Sequence, residues 1–73
     1  MIITTVRNNK LFIQFDRLVK NGLILINGEN EFEAQRHVKD SEFEVFELPD
    51  NIETIHLNID IDNEKPVIKS LNI

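Results

Sequence analysis

The chain has no cysteine, tryptophan or tyrosine, and its longest uninterrupted apolar run is the four residues Leu23 to Ile26. The absence of cysteine excludes disulfides and thiolate zinc sites, and it fits a reducing compartment. A run of four residues is far shorter than the roughly 20 that span a bilayer. No basic and then apolar leader opens the sequence. We therefore expect neither a signal peptide nor a transmembrane segment, and a location in the cytoplasm or within a virus or phage particle.

Basic residues are also few, with eight Lys and Arg against thirteen Asp and Glu, for a net charge of -5. The imbalance is uneven: residues 1–28 carry four cations and one acid (+3), whereas residues 29–73 carry four cations and twelve acids (-8). Nucleic acids and anionic membranes are bound by clustered Lys and Arg. The charge therefore argues against both and favours a protein partner, in particular a basic one.

The residues that usually support catalysis or sugar binding are scarce. Ser41 and Ser70 are the only serines, and a nucleophile needs a positioned base and an oxyanion site inside a cleft. A chain of 73 residues offers little room for such a cleft. Carbohydrate platforms favour Trp or Tyr, and here only phenylalanine is present. We predict a protein that is not an enzyme and that carries no cofactor.

The dominant pattern in the sequence is the alternation of apolar and polar residues, and it predicts one small β domain over residues 1–73. Alternation with period two is typical of strands that pack one face on a core. Turn-forming residues divide the chain into seven candidate strands. These are Ile2 to Val6, Lys10 to Asp16, Leu23 to Ile26, Glu31 to Val38, Glu42 to Leu48, Ile52 to Ile61 and Val67 to Ile73.

Several short polar segments predict where the strands end. Asn21-Gly22 and Asn27-Gly28 are the strongest signals, because type I′ hairpin turns need positive φ at both central residues. Asn8-Asn9 and Lys39-Asp40-Ser41 are further predicted turns. Short strands at this spacing predict an all-β fold, a small antiparallel β-sandwich or barrel of about six to seven strands.

Two segments leave alternatives open. In residues 30–38, Asn30 and Glu33 have the spacing of a capping box, so an α+β fold with one short helix is the fallback to a strand. In EFEVFEL (residues 42–48), Phe43 and Val45 share one face while Phe46 and Leu48 share the other. This switch predicts a β-bulge at a bend of the sheet, or else a strand buried on both faces.

Metal-type ligands gather in one place, at Asp60, Asp62 and Glu64. The spacing resembles the start of an EF-hand loop, but Lys65 stands at the position of the turn glycine and Pro66 prevents a following helix. We therefore treat the three as weak candidates for calcium and favour a solvated strand end. The two histidines, His37 and His56, are expected to be exposed or hydrogen-bonded instead of metal ligands.

The acidic residues of the second half provide the candidate binding site. Glu31 and Glu33 lie in one predicted strand, and Glu42 and Glu44 lie in the next. If the two strands pair across a turn at residues 39–41, like charges lie opposite each other, which destabilises a sheet unless a cation docks there. We predict these four residues as a surface for a protein partner, and the alternative is that the charge serves solubility.

Three functions follow in order of preference. The first is an acidic β domain that binds another protein through this strand face or an exposed sheet edge, in one version an inhibitor that mimics nucleic-acid phosphates. The second is a self-associating assembly subunit, such as a component of a phage particle or surface complex. The third is a calcium- or carbohydrate-binding module. The segment FELPDNIETIHLNID (residues 46–60) resembles small β-sandwich surface repeats but lacks their turn glycine, and the overall composition resembles small acidic β proteins of phages.

Overall fold

A computed structural model describes all of residues 1–73, and it is built from strands without any helix. One antiparallel sheet of five strands curls into a half-barrel. The strands are β1 (Ile2–Arg7), β2 (Lys10–Gly28), β3 (Glu33–Glu47), β4 (Thr54–Ile61) and β5 (Val67–Asn72). The predicted all-β class is confirmed, and no helix long and apolar enough to cross a membrane is found.

The number of strands is smaller than predicted, because two pairs of expected strands are continuous. The segments at 10–16 and 23–26 belong to β2, which has 19 residues, and those at 31–38 and 42–48 merge into β3, which has 15. The prediction of six to seven short strands in a sandwich or closed barrel is therefore replaced by five strands, two of them long. Residues 33–38 are strand, so the helical fallback for residues 30–38 is wrong.

β2 is the centre of the sheet. One of its edges pairs with β3 along most of its length, while the other edge pairs with β1 at residues 10–15 and with β4 at residues 22–28. β5 pairs only with β4. β1 and β5 are thus the two ends of the strand order β1-β2-β4-β5.

Each hairpin turn forms where two consecutive residues adopt positive φ. Asn8 and Asn9 do so, as predicted, at 52° and 60°. The β2–β3 turn lies three residues beyond the predicted Asn27-Gly28 and is made by Asn30 and Glu31, where the Phe32 N–H donates to the Glu29 carbonyl. Asparagine tolerates this left-handed region because its short side chain bonds locally.

The other two predicted turns are wrong. Asn21-Gly22 lies inside β2, where Gly22 pairs with Val38 on one side and Ile61 on the other. Lys39-Asp40-Ser41 lies inside β3. Asp40 does have positive φ, and the β2–β3 register shifts between Gln14 and Val19. A bulge at this point lets both strands bend together, so the bend takes the place of a turn.

The bulge is predicted within residues 42–48 of β3 but lies mainly in β2, between Gln14 and Val19. Residues 43–47 of β3 pair in regular register with β2. Phe46 and Leu48 are buried, and Phe43 remains 55% exposed on the opposite face. The apolar residues on both faces of this segment therefore do not mark a bulge. One face of the strand packs on the core, and the outer face carries the further apolar residues.

The concave side of the sheet holds one hydrophobic core of 14 buried residues. Its clearest part is the predicted stripe of β4, Ile55, Leu57, Ile59 and Ile61, which are all at most 4% exposed. No polar or charged residue is buried. Three strands, β1, β3 and β5, each pair on one side only, and their other edges are unpaired.

Candidate functional site

The four predicted acidic binding residues do not form a single surface. Because β3 is continuous, the two predicted rows follow each other along one strand and do not lie opposite each other across a hairpin. Glu31 lies in the β2–β3 turn, and Glu33 and Glu42 are exposed on β3. Glu44 is partly buried and engaged with other residues. The structure thus separates Glu44 from the other three.

Glu44 belongs to a cluster at the bend of β3 that sequence reasoning missed. The Arg36 guanidinium lies 3.1 Å from a Glu44 carboxylate oxygen and donates to the Val45 carbonyl at 2.7 Å. It also stacks 4.0 Å from the centroid of the Phe46 ring, a cation–π geometry. The Ser41 hydroxyl donates to the other Glu44 oxygen. The contacts of Arg36 join residues eight to ten apart along one strand, so they hold its bend.

A second acid, Glu29, holds the loop before β4. One of its carboxylate oxygens accepts hydrogen bonds from the backbone N–H groups of Glu53 and Thr54 at 2.8 and 2.7 Å. The bonds from Thr54 and Glu53 favour the charged form and hold the pKa of Glu29 below its ordinary value of 4.5. Glu29 is therefore a structural residue that ties the β2–β3 turn to β4.

This contact predicts a change in pH-dependent stability. A carboxylate with a lowered folded pKa stabilises the protein above its unfolded pKa, and the stabilisation is lost as the pH falls through the folded value. Glu29→Gln keeps the shape but cannot ionise, so its melting temperature should fall less than that of the wild type as the pH decreases below about 4.5. Thermal melts followed by circular dichroism at several pH values measure the difference. In Glu33→Gln, which replaces an exposed acid, the wild-type pH profile should remain, and an identical profile for both variants contradicts the role of Glu29.

Of the three weak metal candidates, Asp62 and Glu64 lie in the β4–β5 turn and Asp60 lies near the end of β4. Asp62 Oδ1 accepts hydrogen bonds from the backbone N–H groups of Lys20 and Asn21 at 3.0 and 3.1 Å. Its other oxygen lies 3.7 Å from Arg17 Nε, and Glu64 lies 2.8 Å from Arg17 Nη2. Asp60 points to the outer side of β4. Asp62 and Glu64 therefore anchor the bend of β2, and no group of three or more His, Asp or Glu side chains is arranged to hold a metal ion.

Arg17 explains how the bulged part of β2 is held. It forms ion pairs with Asp16, Asp62 and Glu64. Burial lowers the pKa of Arg17, but the contacts with Glu64 and Asp16 raise it by more, so the net shift is upward. The guanidinium remains charged and links the bend to the β4–β5 turn.

The two histidines lie on strands that flank opposite edges of β2, so they do not meet. His37 pairs with Leu23 and His56 pairs with Asn27. The His56 Nδ1 atom lies 2.8 Å from the Ser70 hydroxyl on β5, and His37 is exposed. The expectation of exposed or hydrogen-bonded histidines is confirmed.

The open boundary between β1 and β5, which we call the seam, presents unpaired backbone groups from both strands. In a two-residue hairpin the residues that flank the turn exchange hydrogen bonds, so Arg7, Thr5 and Ile3 bond to β2. The backbone groups that point away from β2 belong to Ile2, Thr4 and Val6. On β5, the Ile73 N–H donates to the Glu53 carbonyl at 2.8 Å. By the same alternation, the outward backbone groups of β5 belong to Ile68, Ser70 and Asn72.

One side chain bridges the seam. Lys69 Nζ, from β5, donates to the backbone carbonyl of Ile2 at 3.2 Å and lies 3.4 Å from the Thr4 hydroxyl. Further along, a groove of about 360 Å³ is lined by the end of β1, the Asn8-Asn9 turn and residues 71–73. Residue numbers increase in the same direction on both sides of the seam, so β1 and β5 run roughly parallel. A lysine side chain occupies the place where strand-to-strand hydrogen bonds would lie.

The sequence predicts an exposed sheet edge as one binding surface, but it does not indicate that β1 and β5 provide that edge. Lys69 is an inward position in an alternating strand, with Val67 and Leu71 on the same face. A lysine among inward apolar residues is the only sequence signal of the seam, because inward-pointing charges are typical of unpaired edges.

Chemically, the seam offers backbone donors and acceptors, apolar side chains and the ammonium group of Lys69. It brings together no cluster of metal ligands. Such a set of groups is suited to contact with an extended polypeptide. Comparison of the chain with protein-family models, with curated proteins and with solved structures finds no match.

Proposed function

We propose that the protein is a non-enzymatic binding module that takes up an extended segment of another protein into the seam between β1 and β5. The observation that carries this proposal is that two unpaired strand edges face each other across a gap bridged by Lys69 alone. Strand addition to an exposed edge is a general mode of peptide recognition, in which main-chain hydrogen bonds provide much of the affinity.

The relative direction of β1 and β5 allows one inserted strand to pair with both edges. Because β1 and β5 run roughly parallel, a strand that is antiparallel to β1 is also antiparallel to β5. Its successive residues can therefore bond alternately to β1, at Ile2, Thr4 and Val6, and to β5, at Ile68, Ser70 and Asn72. Its inward side chains would cover the half-buried residues Ile2, Val6 and Leu71 and extend the core.

Insertion would displace Lys69 from the Ile2 carbonyl. The carbonyl would then accept a backbone N–H of the incoming strand, and the ammonium group would be free to pair with a carboxylate. We therefore expect the preferred segment to alternate apolar inward residues with polar outward residues, and to place an acidic side chain beside Lys69.

The acidic residues have a different part in this proposal. Glu31, Glu33 and Glu42 are exposed and lie outside the seam. Charges at a distance from the contact change the association rate more than the affinity of the complex. They would attract a partner whose overall charge is basic, as the composition predicts, while the seam makes the main contact.

The proposal is tested by removing one outward N–H group of β1. Proline lacks the N–H and is tolerated on edge strands, so Thr4→Pro should leave the fold intact and abolish peptide binding at the seam. The probe is a displayed library of random peptides of about 12 residues, long enough for a strand of ordinary length. Selected peptides are measured by isothermal titration, and their contacts are mapped by amide hydrogen exchange.

The neighbouring residue provides the matched control. The Thr5 N–H bonds to β2 in the register with Phe12, so Thr5→Pro should lower the melting temperature through a lost ladder bond. We expect protection from exchange at Thr4 and Ser70 in the wild-type complex. Peptides that bind Thr4→Pro as tightly as the wild type, or that protect β3 instead, refute binding at the seam.

A further inference from the structure

The convex side of the first half of the sheet presents a regular grid of side chains, which we call the outer face. It consists of three rows that run across β1, β2 and β3. The register fixes the rows as Arg7–Lys10–Glu47, Thr5–Phe12–Val45 and Ile3–Gln14–Phe43. All nine side chains point away from the core, because their neighbours in each strand are the inward residues.

Two of the three rows are rich in apolar surface. Ile3 is 52% exposed and Phe43 is 55% exposed, with Gln14 between them, and Phe12 and Val45 in the neighbouring row are half-buried. The side chains therefore form a contiguous patch and are not scattered singly. An exposed apolar patch bordered by polar residues is typical of an interaction surface.

The charged row at one end of the patch is arranged by sign. Arg7 lies on β1 and has no ion pair, whereas Glu47 lies on β3 and is paired with Lys10 of β2 at 3.0 Å. Positive charge thus lies at the β1 side of the outer face and negative charge at the β3 side. When the face is rotated about a line parallel to β2, the two outer charges of the row, Arg7 and Glu47, are complementary, and Lys10 lies on that line and meets its own equivalent.

We propose that the outer face binds a second copy of this chain, in a two-fold dimer whose axis lies along β2 between the two sheets. The rotation exchanges the β1 and β3 sides and keeps each row opposite itself. Arg7 then faces Glu47 of the second copy, Ile3 faces Phe43, and Phe12 packs against its own equivalent. The same contacts form twice, as an isologous interface requires.

The other two-fold arrangement of stacked faces lacks this match. An axis perpendicular to the strands would place the charged row opposite the row of Ile3 and Phe43. That packing would bury charged groups against apolar ones, which is unfavourable. The axis along β2 instead gives two sheets with nearly aligned strands, a usual packing of sheet on sheet.

The size of the patch sets the strength of the dimer. The patch is three strands wide, at about 4.8 Å per strand, and five residues long, at about 3.3 Å per residue. The area that it can bury is well below the roughly 1,600 Å² of a standard interface. We therefore expect association at concentrations above roughly 100 μM, a weak dimer. This inference does not depend on the proposed function, because the seam lies on the other side of β1 from β2 and remains open.

Reversal of the two charges tests the proposed axis. Arg7→Glu or Glu47→Arg alone sets like charges opposite each other at two equivalent places, and each should raise the dimer dissociation constant about tenfold. The double variant R7E/E47R restores opposite charges across the interface and keeps a carboxylate beside Lys10. It should therefore recover the wild-type dissociation constant, which sedimentation equilibrium measures over protein concentrations from about 10 μM to 1 mM.

Two variants at exposed apolar residues test whether the outer face, and not another apolar part of the surface, forms the dimer contact. Phe43→Ser should abolish dimerisation, and Ile68→Ser, which changes a residue 75% exposed on β5, should leave it unchanged. Circular dichroism confirms that each variant is folded. A wild-type protein that stays monomeric up to about 1 mM overturns the proposal. A double variant whose dissociation constant is as high as that of the single variants also overturns it. Failure of dimerisation leaves peptide binding at the seam unaffected, so the two proposals are tested separately.

Discussion

Replacement of Ile59 by alanine is expected to leave the protein largely unfolded at physiological temperature. Ile59 is fully buried in the middle of β4, where its strand pairs with both β2 and β5. Truncation of a buried isoleucine to alanine costs about 2–5 kcal/mol, and small domains lie near the lower end of the 5–15 kcal/mol range of unfolding free energies. Urea unfolding and thermal melts measure the loss, which should lower the melting temperature by at least about 10 °C.

The control for this prediction is Ile68→Ala on the adjacent strand. Ile68 is 75% exposed and pairs with Asn58, next to Ile59. Surface substitutions of this kind change stability by about 0.5 kcal/mol or less. Equal losses of stability in the two variants would contradict the assignment of the concave face as the core.

Gly22→Ala is the second large expected effect, because β2 has no space for a side chain at this position. A methyl carbon on Gly22 would lie 2.7 Å from the Asp60 carbonyl oxygen and 2.7 Å from Cγ2 of Ile61. The first of these atoms belongs to the backbone of β4 and cannot rotate away. Overpacking of this kind costs about 1–3 kcal/mol, and we expect β2 and β4 to separate locally with loss of amide protection at the Gly22 end of the ladder.

Gly28→Ala is the matched control at the other end of the same ladder. Its methyl carbon would lie 3.0 Å from the Thr54 carbonyl oxygen and 3.5 Å from Cγ2 of Ile55, so a small shift can accommodate it. Neither glycine has positive φ, so loss of backbone freedom does not distinguish the two. Chemical denaturation should show the larger loss for Gly22→Ala, and the reverse order would show that close approach is not the reason for glycine at position 22.

The parts of the fold that the sequence predicts are those controlled by neighbouring residues. The alternation of Ile55, Leu57, Ile59 and Ile61 predicts a strand with one buried face, and all four are buried. Asn8-Asn9 predicts a two-residue turn because both residues tolerate positive φ, and both adopt it. Local patterns decide these features, so a single sequence is sufficient for them.

The remaining parts depend on packing between distant segments. Asn21-Gly22 has the composition of a turn, but Gly22 is needed where β2 approaches β4, a requirement that no local pattern shows. Lys39 to Ser41 also has the composition of a turn, yet the shared bulge with β2 makes the chain bend and continue. The number of strands was overestimated because the composition of a bend resembles that of a turn.

The candidate site was less predictable than the fold for the same reason. The sequence predicts an exposed Glu44, but the bend of β3 brings Arg36 into contact with it. The sequence offers Asp62 as a weak candidate for a metal ligand, but backbone N–H groups of β2 donate to its Oδ1 atom. The role of Lys69 requires β1 and β5 to lie close together, although Lys69 and Ile2 are 67 residues apart in sequence.

The central position of β2 has a consequence for how the protein opens. Three of the four strand ladders include β2, and only the β4–β5 ladder does not. β5 can therefore detach with the loss of one ladder, whereas separation of β2 removes the pairing of β1, β3 and β4 at once. Partial unfolding should be confined to the outer strands, and loss of β2 should coincide with global unfolding. The strands that line the seam are thus the ones most free to move apart while the rest of the molecule stays folded.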